Sequence, residues 1–329
     1  EEEAFDDDYT FALVKLNTLG FDPSGNDLRG FDFQKMTDDI TAHIFDESVK
    51  CYGGESDFWM LRRINVSDIY AAHSLRFDYK FLNPDTRKLI AGIHAKGGQT
   101  VKEINIIPTL RGKSPDMEQY VDESDGYAVV LKAANVTRFG TVEISGSDWI
   151  EKATYEEYET LPTCDNIIVK KYDVLVVSTG DGSLGKAGVY DLNTPAIVDG
   201  HVAIIRIDRK KNDPYYVADY LRKGAGAVQI NRAYTGATGM IELTPAQLET
   251  VVIDTLNGDI NEQKKISKQL RKAEKLAQQH INKGEEIIEQ TKAPEVINSN
   301  KEEPSELVIA ENQTEKTEEV LLEKKKRKA

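Results

Sequence analysis

Cysteine is scarce in this 329-residue chain, and its two cysteines, Cys51 and Cys164, lie far apart with no C-x-x-C pair. A disulfide framework and a cysteine-based zinc site are therefore excluded, and we expect a reducing compartment. No apolar run approaches the roughly 20 residues that a membrane-spanning helix needs, and no signal peptide opens the chain. These absences predict a cytoplasmic protein without a membrane partner.

Catalytic arrangements of residues are also missing. The sequence holds no paired carboxylates at a plausible spacing, no defensible Ser/His/Asp arrangement and no metal-ligating cluster. Its histidines are few and scattered, at His43, His73, His94, His201 and His280. We therefore predict no catalytic residue, no metal site and no cofactor in this chain, which is not expected to be an enzyme.

Charge is abundant but unbalanced, with 56 acidic and 42 basic residues and a net charge of −14. An acidic total argues against a protein that coats nucleic acid indiscriminately. Electrostatic steering depends on local patches rather than on the sum, so a basic face stays compatible with this composition. Basic excess occurs at residues 61–100, with a net charge of +4, and at residues 260–292, with +3.

Changes of pattern along the chain predict an α+β protein with several segments. These are an acidic N-terminal segment (1–60), a basic linker (61–99), a mixed-sheet domain (100–259), a long helix (260–292) and a disordered charged tail (293–329). Residues 31–50 are typical of an amphipathic helix. Asp213, followed by Pro214, predicts the start of a second helix, which reaches Leu221. The predicted strands of the domain are 101–107, 127–131, 141–144, 166–169, 174–177, 202–207 and 240–243.

The domain is organised around residues 172–186, where an apolar run is followed by a loop with three glycines and one lysine. Such a loop brings N–H groups and positive charge close to an anion. Gly180, Gly182 and Gly185 spell a dinucleotide-binding G-x-G-x-x-G, and the same stretch spells a near P-loop, G-x-x-x-x-G-K. Both motifs need a helix next, whereas the following residues predict a hairpin, and Ala187 lacks the metal-binding hydroxyl of a P-loop. Three alternatives remain: a nucleotide-binding enzyme, a structural glycine hairpin and, as the favoured interpretation, a loop that meets a nucleic-acid backbone.

A second glycine-rich stretch, residues 224–239, is also predicted to be a loop, with an ordinary surface loop as the alternative to a binding site. It interleaves glycines with side chains that read base edges or bind phosphate oxygens, and the amides of Gln229 and Asn231 suit adenine. The predicted DNA-contacting residues come from a turn at residues 111–115 and from the two glycine-rich stretches with their flanking residues. They are Arg111, Lys113, Ser178, Thr179, Lys186, Gln229, Asn231, Arg232 and Thr238.

Residues 260–292 predict one long helix with a heptad seam on one face. The seam residues follow at alternating spacings of four and three: Ile266, Leu270, Ala273, Ala277, His280, Gly284 and Ile287. This spacing is typical of a coiled coil, and at ~1.5 Å per residue the helix is about 50 Å long. A single amphipathic helix packed against its own domain is the alternative.

Residues 75–292 resemble a DNA-specificity subunit of type I restriction–modification systems. The resemblance rests on the order and spacing of four stretches, and residues 262–266 resemble the start of the long helix of that family. The four stretches are Leu75-Arg76-Phe77-Asp78 with Asn83-Pro84, residues 172–180 with Gly185-Lys186, Asp213-Pro214-Tyr215-Tyr216 with Tyr220-Leu221, and Asn231-Arg232 with Gly236-Ala237-Thr238-Gly239.

The resemblance implies a target-recognition domain, which reads one half of a bipartite DNA site, followed by a coiled-coil spacer helix. Such subunits usually carry two domains and two helices, whereas this chain has one of each. It therefore resembles a half-subunit, or the C-terminal part of a methylase–specificity fusion whose upstream methylase domain ends in residues 1–60.

The resemblance also implies the function and the partners. It implies sequence-specific recognition of double-stranded DNA that directs an adenine-N6 DNA methyltransferase to its site. The methyltransferase subunit would bind S-adenosylmethionine and carry out the reaction. A restriction endonuclease subunit, and self-association through the helix at residues 260–292, remain open as further interactions.

Overall fold

The computed structural model of the chain describes residues 10–17, 21, 26, 28, 31–45, 59–65, 76, 78–236 and 239–291. Its strands are β1 (Thr10–Leu16), β2 (Trp59–Asn65), β3 (Gln99–Thr100), β4 (Tyr120–Val121), β5 (Ala128–Leu131), β6 (Asp148–Ile150), β7 (Val174–Val177), β8 (Ala187–Val189), β9 (Ala196–Val198), β10 (Val202–Ile205) and β11 (Val252–Ile253). Its α-helices are α1 (Phe33–Phe45), α2 (Tyr79–Leu82), α3 (Pro84–Ala95), α4 (Val101–Ile104), α5 (Lys152–Glu159), α6 (Pro214–Arg222), α7 (Gly224–Ala233), α8 (Pro245–Glu249) and α9 (Ile260–Thr291).

A three-stranded antiparallel sheet in the order β10-β7-β8 lies at the centre of the domain. Its middle strand β7 is apolar at every position because both of its faces are buried. Val174 and Val176 belong to the core cluster that also contains residues of α6 and α7. Leu175 and Val177 belong to the opposite cluster. Each such side chain, when fully buried, contributes about 1.5–3 kcal/mol to folding.

A four-stranded mixed sheet in the order β4-β6-β5-β9 forms the second layer. The β5–β9 pair is parallel and the other pairs are antiparallel. Val129 and Leu131 of β5 share the core with Leu175 of the first sheet. Ala128 and Val130 belong to the next core, with residues of α5. The layers are therefore α6 and α7, two sheets, and α5, which confirms the predicted α+β fold with a mixed sheet.

Helix α6 forms where its sequence signals predict it. The Asp213 carboxylate accepts a hydrogen bond from the Tyr216 backbone N–H at 3.0 Å, and Pro214 occupies the first turn, where the missing N–H costs nothing. Val217 and Leu221 are fully buried against the central sheet. The predicted second helix is confirmed.

The glycine-rich stretch after α6, residues 224–239, differs most from its predicted structure. Most of it is the helix α7, rather than the predicted loop. A Cβ atom on Gly226 would lie only 2.1 Å from the carbonyl oxygen of Tyr220 in α6. The glycine is therefore required by the close approach of two helices, and its presence does not indicate a loop.

Several predicted strands are also wrong in type or extent. Residues 101–107 begin with α4, because Thr100 caps that helix and forms a capping box with Glu103. Residues 141–144, 166–169 and 240–243 contribute only isolated bridges at Val142, Ile168 and Glu242. The predicted helix at residues 31–50 is observed as α1, with Met36 buried and residues 46–50 outside the described ranges.

The predicted long helix is observed as α9, and the predicted tail at residues 293–329 lies outside the described ranges. The chain divides into two compact units, the first of which ends at Lys275. Within the first unit, α9 buries its polar residues Gln263 and Ser267, while the seam residue Ile266 is 37% exposed. In the second unit, Leu276 and Ile281 are exposed. None of the helices in the described ranges combines the length and apolarity that a membrane crossing requires.

Candidate nucleic-acid interface

The glycine loop at residues 180–186 joins β7 to β8 as an antiparallel hairpin. Gly180, Gly182 and Gly185 have φ angles of 93°, 72° and 84°, a region in which other residues are strained. The loop closes through a hydrogen bond of 2.9 Å from the Gly185 N–H to the Val177 carbonyl. Because a strand follows where both phosphate-binding motifs require a helix, the nucleotide-enzyme interpretation of this loop is wrong. The hairpin predicted for the residues that follow the loop is wrong, because β8 pairs with β7 and β9 pairs with β5 in the other sheet.

A cavity of about 290 Å³ lies between this hairpin, the end of α6 and the helix α7. Among the described residues, no carboxylate lines it, and its cations are Arg138, Lys186, Arg222 and Lys223. The Asn231 side chain of α7 completes its polar lining. We call this site the hairpin cavity.

Two of these four cations are neutralised by the protein itself. Arg222 lies 2.7 Å from Asp219 and 2.6 Å from Glu274, and Lys223 lies 3.5 Å from Glu274. Burial alone would lower the pKa of Arg222, but its hydrogen bonds to Glu274 and Asp219 outweigh burial and raise it. These carboxylates therefore keep Arg222 charged but leave it little attraction for an external anion.

The other two cations are not neutralised by any described carboxylate. Among the described residues, Lys186 donates a hydrogen bond only to the Ser183 hydroxyl, at 3.3 Å, and Arg138 lies over the Phe139 ring at 4.8 Å. Neither forms an ion pair with a described residue. Arg222 positions Arg138, because its Nη1 donates to the Arg138 carbonyl at 3.0 Å. The hairpin cavity is therefore a preorganised site for anionic oxygens.

Two of the predicted contact residues are buried inside the domain instead. Ser178 is 1% exposed, and its hydroxyl donates to the His201 carbonyl at 2.9 Å. Gln229 is 3% exposed, and its amide exchanges two hydrogen bonds of 2.8 Å with the backbone of Val252. Both side chains satisfy internal backbone groups, so we do not retain them as DNA contacts.

Three further predicted residues lie away from the hairpin cavity. Arg111 forms an ion pair with Glu242, which neutralises its charge. Thr179 shares a hydrogen bond of 2.7 Å with the His201 Nδ1. Lys113 is exposed, with its ammonium 5.8 Å from the centre of the Tyr158 ring. DNA contact by any of them stays a prediction.

The remaining three predicted residues belong to the second glycine-rich stretch. Asn231 is exposed and lines the hairpin cavity with Lys186. Arg232 lies over the Phe81 ring at 4.0 Å and donates from Nε to the Phe81 carbonyl at 2.8 Å. Thr238 lies outside the described residues. The structure thus brings together Lys186 and Asn231 from stretches that are distant in the sequence.

Sequence reasoning missed Arg138 and Lys223. Both lie beside turns whose composition carries no binding signal, at Arg138-Phe139-Gly140 and at Lys223-Gly224. Only the packing of α6 and α7 brings them to the hairpin. No group of three or more His, Cys, Asp or Glu residues in the described ranges is arranged to hold a metal.

No protein-family model matches the chain, and no curated protein matches it. Among solved structures, it is similar to a type I restriction–modification S subunit from M. genitalium, with 15% identity and a TM-score of 0.35, over 52% of this chain and 37% of that one. It is also similar to the HsdS subunit from Thermoanaerobacter tengcongensis, with 12% identity and a TM-score of 0.32, over 73% and 62% of the two chains. A structure that concerns complex assembly and conformational transition of a type I restriction–modification system matches with 16% identity and a TM-score of 0.40, over 81% and 71%.

The chain spans little more than a third of the length of the S subunit from M. genitalium.

Proposed function

We propose that this chain is a non-catalytic DNA-specificity module, which binds double-stranded DNA sequence-specifically and directs an adenine-N6 DNA methyltransferase to its site. The observation that carries the proposal is the hairpin cavity, where Arg138 and Lys186 have no ion-pair partner among the described residues and Asn231 is exposed beside them. Cations of this kind bind backbone phosphates and position a protein on a duplex. A carboxamide reads a base edge, and adenine is its usual partner.

The motif resemblance supports the same function, because the quoted stretches meet in space. Lys186 of the second stretch and Asn231 of the fourth line one cavity. Asp213 of the third stretch is hydrogen-bonded to Gln263, in the segment that resembles the start of the family's helix. The order of these motifs along the sequence thus corresponds to contacts within one folded unit.

In this proposal α9 serves as the docking element for other subunits. Its polar side is hydrogen-bonded to the domain, and the seam residues Ile266 and Ala273 are exposed. The methyltransferase subunit supplies S-adenosylmethionine and catalysis. A restriction endonuclease subunit and a second copy of this chain are further proposed partners of the assembly.

Fluorescence anisotropy with a labelled duplex, measured over a series of salt concentrations, tests the proposal. DNA affinity should fall steeply with salt, because binding releases counterions. Arg138→Ala and Lys186→Ala should each reduce the slope of log affinity against log salt by about 1. Lys102→Ala, at a side chain that is 74% exposed, is the matched control and should leave the slope unchanged. Absence of duplex binding at low salt, with or without a methyltransferase subunit, would contradict the proposal.

A further inference from the structure

A second cavity, of about 360 Å³, lies where the N-terminal part of the chain meets α7. Its cations come from three elements: Lys15 from β1, Lys80 from α2 and Arg232 from α7. Asn83, Thr86 and Asn231 add neutral hydrogen-bonding groups, and none of the described residues that line the cavity is a carboxylate. We call it the Lys80 cavity. Its volume lies within the ~300–1,000 Å³ range of small-molecule sites.

The cations of the Lys80 cavity are less well neutralised than those of the hairpin cavity. Arg232 uses Nε on the Phe81 carbonyl, and its Nη1 and Nη2 groups make no hydrogen bond to a described residue. Lys80 lies over the Tyr234 ring at 3.0 Å and donates to the Tyr234 carbonyl at 3.3 Å, so its contacts are with neutral groups. Neither forms an ion pair within the described ranges.

The lowered pKa values of Lys80 and Arg232 agree with a site whose positive charge is not compensated. Burial lowers the pKa of Lys80 to about 8, with a smaller contribution from Arg76. Burial also lowers the pKa of Arg232 to about 10, and Arg87 and Arg76 add to the effect. Asp78 opposes both shifts but is itself paired with Arg76 at 2.7 Å. An anion bound here would relieve this repulsion.

We propose that the Lys80 cavity binds a phosphate group, held by the Lys80 ammonium and the Arg232 guanidinium. A guanidinium fork and an ammonium suit the oxygens of phosphate, and both bonds are charge-assisted. Asn83 adds a neutral donor, because its Oδ1 already accepts from the Asp85 N–H and its amide N–H₂ group is left to donate. The phosphate belongs either to a DNA backbone, which would extend the interface of the proposed function, or to a free phosphate ester.

Isothermal titration calorimetry of the whole chain with inorganic phosphate tests the site directly. Lys80→Gln and Arg232→Gln should each weaken phosphate binding at least tenfold, because each removes one of the two cations. Lys80→Arg keeps the charge and should restore most of the affinity. Lys102→Gln, at an exposed side chain, should bind phosphate as the unmodified chain does. Circular dichroism should show that all variants keep the fold.

The pH dependence provides a second readout with sulfate, whose charge is constant above neutral pH. Sulfate affinity should fall as the pH rises from 7 to 9.5, because Lys80 loses its proton around pH 8. Lys80→Arg should remove this fall. The other charged groups that face Lys80 are Lys15, Arg76, Asp78 and Arg232, and the pKa of Arg232, at about 10, lies above this range.

Duplex affinity distinguishes the two sources of the phosphate. If Lys80→Gln weakens both phosphate and duplex binding, the site holds a DNA backbone phosphate. If it weakens phosphate binding alone, the site takes a free phosphate ester and the proposed function is unaffected. If phosphate binds but no duplex does, the proposed function fails while the phosphate site stands. No phosphate binding by the unmodified chain, together with unchanged duplex affinity in Lys80→Gln and Arg232→Gln, would overturn the inference.

Discussion

Gln263, in the first turn of α9, accepts a hydrogen bond on Oε1 from the backbone N–H of Asp213 at 2.7 Å. Asp213 is the residue that caps α6, so the two helices begin at one shared contact. The Gln263 amide nitrogen donates to the Thr255 carbonyl at 2.8 Å and to the Asn212 side chain at 3.2 Å. Because Gln263 is fully buried, the start of α9 is fixed to the domain through hydrogen bonds rather than apolar packing.

We expect Gln263→Ala to destabilise the chain by about 1–3 kcal/mol, because it leaves a buried N–H and a buried carbonyl without partners. Gln269→Ala, at an exposed position of the same helix, is the matched control and should change stability by less than about 0.5 kcal/mol. Urea unfolding followed by circular dichroism measures both. Equal stability of the two variants would show that the amide network does not hold α9.

Arg222→Ala should cost more stability than Gln263→Ala, about 3–5 kcal/mol in total. The substitution removes the buried guanidinium that pairs with Asp219 and Glu274. The side chains of Arg222 and Asp219 are only 2% and 4% exposed, so solvent cannot replace the lost contacts. Lys265→Ala removes an exposed pair with Glu262 on α9 and should cost less than about 1 kcal/mol. The same urea titration compares the two, and similar losses would contradict the importance of the buried cluster.

Gly226→Ala should destabilise the chain by about 1–3 kcal/mol, because the added methyl group meets the Tyr220 carbonyl and forces α6 and α7 apart. Gly92→Ala is the matched control in α3, where a Cβ atom would meet nothing within 4 Å. It should stabilise the chain by about 0.5–1 kcal/mol, since alanine favours the helix over glycine. Thermal unfolding measures both changes in stability, which should have opposite signs. A Gly226→Ala variant that is as stable as the unmodified chain would refute the close-packing explanation.

Neither the unmodified chain nor Lys186→Ala should bind ATP or NAD tightly, because the hairpin loop leads into a strand and is not a P-loop. Equilibrium dialysis with both nucleotides measures this. Loss of nucleotide binding in Lys186→Ala would restore the enzyme interpretation of the loop.

Asn231→Ala and Lys186→Ala should affect DNA binding in different ways. Loss of the Lys186 charge should weaken all duplexes about equally, since backbone phosphates carry no sequence information. Loss of the Asn231 amide should cost about 1–3 kcal/mol on the preferred sequence and relax the choice of base at one position. Competition binding with single-base variants of the preferred duplex distinguishes the two. A uniform loss in Asn231→Ala would assign that residue to the backbone instead.

The elements that were predictable from the sequence are those with local signals. The Asp213 cap and Pro214 define α6 by chemistry within one turn. The apolar run of β7 is long and bounded by turns, so its burial on two sides follows from its composition. In contrast, Gly226 of α7 is required by the close approach of Tyr220 in α6, and that contact arises only once the two helices are packed.

The site was predictable in part for the same reason. Lys186 and Asn231 lie in stretches of unusual composition, so the residue types alone pointed to them. Gln229 has the same composition around it but satisfies the backbone of Val252, a partner 23 residues away in the chain. Arg138 lacked any local signal because its position depends on Arg222. Polar residue types therefore indicate where binding is possible, and tertiary contacts decide which side chains remain free.

Selection from a pool of randomised duplexes, performed with this chain and an adenine-N6 DNA methyltransferase subunit, tests the central claim most directly. We expect enrichment of one short sequence that contains a fixed adenine, with methyl transfer to that site in the presence of S-adenosylmethionine. Replacing Asn231 by alanine should broaden the enriched sequence. A pool that stays random at low salt, both with and without the methyltransferase subunit, would contradict the account.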